Sequence, residues 1–215
     1  MSAKRLGRDS EKALEMSCRL ITATRMSRDE KIEKFRDLVK RMERALGEEN
    51  AVTLRALNTL GGNLEDKEEY EEAIKVDERY LAGRMKAIGE DHTDTLESLN
   101  NLGTIYRNLE NCEKAIEYYE RALKGKEKTL GKNHPNTPGT VMHIALVYGV
   151  LNDYEKAEEL FERALEGWEA QVGKDHKDTK MCSEIFKICL EASGNCERLA
   201  ELISSYPGLA FEEVD

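Results

Sequence analysis

Four histidines and five cysteines are the residues of this 215-residue chain best suited to chemistry, and their spacing argues against most of it. His92, His134 and His176 recur 42 residues apart, in the stretches GEDHTDT, GKNHPNT and GKDHKDT. Imidazoles that repeat with the chain are held apart by that repeat, so they are expected to build a loop rather than share a metal ion. His143 stands outside this series, where a hydrogen-bonding role is expected in preference to a pH-sensitive one. Cys18, Cys112, Cys182, Cys189 and Cys196 are odd in number and include no C-x-x-C pair. That argues for reduced thiols in an intracellular protein and against zinc. Cys182 and Cys189 lie seven apart on one helical face and are expected to pack. No nucleophile–base pair, phosphate loop or metal cluster emerges, so neither catalysis nor a cofactor is expected.

The elements that carry these residues form an array. LGEEN begins at Leu46, IGEDH at Ile88, LGKNH at Leu130 and VGKDH at Val172, each start 42 residues after the last. Self-similarity at such a spacing signals a solenoid. Apolar periodicity places first helices over 52–65, 94–108, 136–151 and 178–192, and second helices over 68–87, 112–129, 154–171 and 196–205. Asn152-Asp153 and Gly194-Asn195 mark turns between them. Gly47, Gly89, Gly131 and Gly173 are expected as left-handed residues closing second helices. Asp94, Asn136 and Asp178 are candidate caps for the first helices, with Pro138 tolerated in a first turn.

Ahead of these repeats, residues 1–8 are polar, and Asp9 or Ser10 could cap a helix over 11–24. A second helix over 29–46 carries Ile32, Phe35, Leu38, Val39 and Met42 at helical spacing. The expected organisation is a degenerate helical pair over 1–45 acting as a cap, and repeats at 46–87, 88–129, 130–171 and 172–205. A tail over 206–215 follows. The fold class is all-α.

Composition bounds the partners. Charged residues make up 35% and the net charge is −10, which repels nucleic acid and anionic membranes on average. The apolar run from Ile144 to Leu151 is too short to span a bilayer, and the amino terminus lacks the apolar segment of a secretory signal. A cytoplasmic location is expected.

LNNLGTIYRNLENCEKAIEYYERAL (99–123) closely resembles the tetratricopeptide repeat, with Leu102, Gly103, Tyr106, Ala115, Tyr119 and Ala122 at its landmark positions. One period later these read Ile144, Ala145, Tyr148, Ala157, Phe161 and Ala164; one period earlier, Leu60, Gly61, Leu64, Ala73, Asp77 and Tyr80. The long period and the LG-x-x-H-P-x-T loop are similar to the kinesin light chain type. The resemblance implies a right-handed superhelical solenoid of antiparallel helix pairs. Residues 1–45 carry no sustained heptads, so a free-standing protein built on this repeat is expected rather than a complete kinesin light chain.

The resemblance further implies a concave groove lined by first helices. Its expected lining is Arg55, Asn58, Thr59 and Glu65; Glu97, Asn100, Asn101, Thr104, Arg107 and Asn108; Met142, His143, Leu146 and Val150; and Met181, Glu184, Ile185 and Ile188. Carboxamides pair with both N–H and C=O of an extended peptide, and an arginine forks onto a carboxylate. The expected function is therefore a non-catalytic adaptor that binds a protein or peptide segment.

The chain ends in Glu212, Glu213, Val214 and Asp215, which resembles the carboxyl-terminal signature of large cytosolic heat-shock chaperones. The tail could thus recruit tetratricopeptide co-chaperones. The groove itself does not match the carboxylate clamp of such co-chaperones: of Asn58, Gly62, Asn101, Gly139 and His143, only Asn101 fits. A self-assembling structural solenoid is the other alternative.

Overall fold

The computed structural model describes residues 3–132, 134 and 136–209; Glu212 to Asp215 fall outside this range. The described residues form ten α-helices and one 3-10 turn, with no strand among them. Contacts divide the chain into two compact units that meet in sequence at Leu109 and Glu110, between the two helices of the expected repeat 88–129.

The first unit holds α1 (Ala3–Ala23), α2 (Arg28–Leu46), α3 (Ala51–Glu65), α4 (Tyr70–Ile88) and α5 (Thr93–Asn108). The second holds α6 (Cys112–Leu130), α7 (Pro138–Val150), α8 (Tyr154–Val172), α9 (Lys177–Ser193), α10 (Cys196–Ser205) and the turn Pro207–Leu209. Within each unit every helix packs on the next in sequence. At the start of the expected tail, Tyr206 is buried and Lys187 Nζ donates to the Leu209 carbonyl at 2.8 Å.

At the amino terminus, Asp9 and Ser10 lie inside α1 and do not start it. Ala3, Lys4, Arg5 and Leu6 are strong helix formers and carry the helix through Gly7. The next helix has a full capping box. Ser27 Oγ accepts from the Glu30 N–H at 3.2 Å, and the Ser27 N–H donates to Glu30 Oε2 at 3.0 Å.

The loops between repeats differ from expectation in two details. Gly47, Gly89 and Gly131 have φ of 93° and Gly173 of 83°, but their ψ values of 155° to 170° are extended rather than left-handed. That region is open essentially to glycine alone. Nor do the acids cap α5 and α9; the histidines do, while α7 follows Thr137, which makes no side-chain cap bond. Nδ1 of His92 accepts from the Asp94 N–H at 3.2 Å, and His176 does the same for Asp178 at 3.3 Å. His134 Nδ1 accepts from the Asn136 N–H at 3.2 Å. An imidazole held two residues upstream reaches the orphan N–H groups that a shorter acid within the turn cannot. Thr95 and Thr179 then donate to the carbonyls of Gly89 and Gly173 at 2.8 Å. In the first copy Asn50 takes the histidine's place, accepting from the Val52 N–H at 2.8 Å.

The turns inside the repeats share a second device. Glu68, Glu110, Asn152 and Gly194, one per period, have φ of 63°, 58°, 60° and 72°. The residue that follows caps the second helix where it can: Asn111, Asp153 and Asn195 accept from the N–H three positions on, while Glu69 makes no such bond.

Side chains at period positions fill the cores. Ala73, Ala115, Ala157, Ala122 and Ala164 are fully buried and let helices approach. Phe35, Tyr119 and Phe161 occupy one position of the period and are buried to within 1%. Phe161 stacks on Phe186 with ring centroids 5.4 Å apart. Lys126, 2% exposed, donates to Thr140 Oγ1 at 3.0 Å. Successive second helices are also bridged at 36-residue spacing. Arg36–Glu72 and Arg79–Glu43 join α2 to α4, Arg163–Glu127 joins α6 to α8, and Arg198–Glu162 joins α8 to α10.

Candidate functional site

In the first unit the expected lining falls on α3 and α5. Asn101, Thr104 and Asn108 follow the i, i+3, i+7 spacing of one helix face, and Arg107 stands beside them. Asn58, Asn101 and Asn108 are exposed, and Arg107 is half-exposed in the last turn of α5. Among the described residues, none of these three carboxamides makes a side-chain hydrogen bond and Arg107 has no ion-pair partner.

Other residues of this face are already committed. Arg55 Nη2 donates to Glu15 Oε1 of α1 at 2.8 Å, and this bond holds the Glu15 carboxyl below the usual carboxylate range. The degenerate first pair thus occupies the start of the face, which no sequence pattern foretold. Thr59 and Thr104 hydroxyls donate back to the carbonyls of Arg55 and Asn100. Glu97 and Glu65 are half-buried, and burial raises the Glu65 carboxyl. Asn100 is 9% exposed, so it supports the face from beneath instead of presenting its amide.

The second unit presents a different face. His143, Leu146 and Val150 share one side of α7, and Met181, Ile185 and Ile188 one side of α9. Val150 is 64% exposed, Ile188 63% and Met181 42%. Leu146 and Ile185 pack half-buried against the same core cluster, and Glu184 is exposed beside them. The His143 ring lies tilted against Tyr119, with centroids 5.3 Å apart. Met142 is 4% exposed and belongs to the core, so it is no anchor for a ligand. It stands beside the buried Val141 at the edge of the helix's apolar stripe, which is why spacing alone misplaced it.

Nothing in either face suggests bond-making chemistry. His92 and His176 each cap a separate helix, His134 bonds the Asn136 N–H within its loop, and burial pushes the Cys182 thiol up to about 12. Cys182 and Cys189 are both buried in the second core.

Models of the tetratricopeptide repeat match residues 52–128, 94–138 and 140–178. The chain belongs to the tetratricopeptide repeat family. A search by sequence among curated proteins found no match. Among solved structures, this tetratricopeptide repeat protein is similar to a Podosopora anserina kinesin light chain-type protein with nearly identical TPR-like repeats. The two are 20% identical, with a TM-score of 0.74 over 94% of each chain. It is also similar to BtubC (BKLC) from P. vanneervenii, at 16% identity and a TM-score of 0.66 over 94% of this chain and 76% of that one. At these identities the likeness shows the fold, a helical solenoid of the kinesin light chain-like type. No helix among the described residues is long and apolar enough to cross a membrane.

Proposed function

We propose that this protein is a non-catalytic adaptor whose first helices bind an extended segment of a partner protein. Tetratricopeptide repeats generally act as protein–protein interaction scaffolds, and the finer reading comes from side chains. The observation that carries it is the set Asn58, Asn101, Asn108 and Arg107, exposed or half-exposed on α3 and α5 with no partner among the described residues. On the same helices Thr59 and Thr104 bond back to their own helix and Arg55 to Glu15 of α1. The free amides and guanidinium suit a peptide backbone and an acidic side chain or carboxylate. In the second unit, taken by itself, the face of α9 with Met181, Ile185 and Ile188 suits apolar side chains.

Selection of binders from a random peptide library tests this reading. Peptides that carry an acidic residue should emerge. Their affinity should fall at least about tenfold, some 1.4 kcal/mol, in Asn101→Ala/Arg107→Ala. Unchanged affinity in that variant would refute the assignment. A variant ending at Phe211 reports on the tail separately, and a solution mass that rises with concentration would mark stacked copies instead.

A further inference from the structure

The period position filled by Phe35, Tyr119 and Phe161 holds an acid, Asp77, in α4. Asp77 is 8% exposed, and its Oδ2 is buried with no hydrogen-bond partner among the described residues. The carboxyl lies against the bare backbone of Gly61 in α3, where a Cβ would stand 2.2 Å from Oδ1. A buried carboxylate with no partner is costly, and the repeat offers an obvious apolar alternative in its other copies.

Among the described residues no basic group answers this acid. From α3, the charged group that acts on it is Glu65, of like sign. From α5, neither Asp94, Glu97 nor Arg107 acts on it, and Tyr106 donates its hydroxyl to Glu78 at 3.2 Å instead. The cations of its own helix act elsewhere: Arg79 pairs with Glu43, Arg84 with Asp94 and Lys86 with Glu49. Lys75 does not contribute either.

We propose that Asp77 makes the α3–α4 pair a proton-gated element, closed when the carboxyl is neutral and prone to open when it ionises. Protonated, Asp77 packs as a small neutral core residue between α4 and Gly61. Ionised, it faces Glu65 in a dry site, and separation of the two helices is what rehydrates it. Desolvation first, and the Glu65 charge second, push its carboxyl from an ordinary 3.8 up to about 7. A carboxyl that holds its proton more tightly in the closed state contributes stability that is complete below about 4. That stability is lost as pH rises towards 7 and stays lost above it. The direction is opposite to that of a salt-bridged carboxylate. The gate stands on packing alone, independent of the peptide reading.

The test is carried out on the whole chain. The Asp77 carboxyl is followed by carbon NMR through a pH titration, and amide exchange of α3 and α4 is compared with that of the near-isosteric Asp77→Asn. The carboxyl should titrate near neutrality, and Glu65→Gln should lower its midpoint without restoring the ordinary value. Opening of the pair, referred to Asp77→Asn at each pH, should rise roughly 30-fold between pH 5.5 and 8.5. An Asp77 that titrates in the usual carboxylate range overturns the proposal. So does equal α3–α4 protection in the two proteins at pH 8.5.

Discussion

Glu68 and Gly194 hold the same left-handed conformation at the same turn, three periods apart, with φ of 63° and 72°. Only the last repeat places there the residue that meets no steric penalty. The repeat geometry therefore imposes the backbone, and Glu68 and Glu110 tolerate it.

Relief at these turns should be measurable. Glu68→Gly and Glu110→Gly are each expected to stabilise the protein by about 0.5–1 kcal/mol, since removal of Cβ strain outweighs the added freedom of the unfolded chain. Gly194→Ala should cost about 1 kcal/mol. Urea melts of the three variants check the set, and a loss of stability in both glutamate variants would contradict it.

The loop between repeats makes a second prediction. Gly173 sits at φ 83° and ψ 170°, where a side chain is strained, although no neighbour blocks it. Gly173→Ala should therefore destabilise by about 1–3 kcal/mol through the backbone alone. His176→Ala removes the cap on the Asp178 N–H and should cost about 1 kcal/mol, with His176→Asn recovering most of it as Asn50 does in the first copy. Calorimetry of the three variants distinguishes a capping histidine from an idle one.

Close approach at Gly61 supplies a third. A methyl group there meets Asp77 Oδ1 at 2.2 Å, so Gly61→Ala should destabilise by about 1–3 kcal/mol. Much of this loss should vanish when Asp77→Ala is also present, because the two side chains compete for one space. Additive effects in this double-mutant cycle would show that the contact does not govern the packing.

The sequence made most of the architecture legible because one period of 42 residues aligns every helix with its copies. α10 begins and ends where periodicity placed it, at Cys196 and Ser205, and α4, α6 and α8 run one residue beyond the expected 87, 129 and 171. Local chemistry was harder to read. Asp94 and Asp178 look like caps by type, but capping depends on where the side chain stands relative to the orphan N–H groups, and His92 and His176 stand there. Exposure on a helix face was legible for Asn101, Ile188 and Val150 and not for Asn100 or Met142, which sit at the edge of the buried stripe. The engagement of Arg55 by Glu15 depends on how α1 lies on α3, which no pattern within either helix encodes.

The central claim, that the first helices carry the binding face, is tested most directly by amide chemical-shift mapping with the tightest library peptide. Perturbations are predicted on α3 and α5 around Asn58, Asn101, Arg107 and Asn108. The bridged arginines of the second helices, Arg36, Arg79 and Arg198, should stay silent. Perturbations centred on α4, α6 or α8, with the first helices unmoved, would contradict the account.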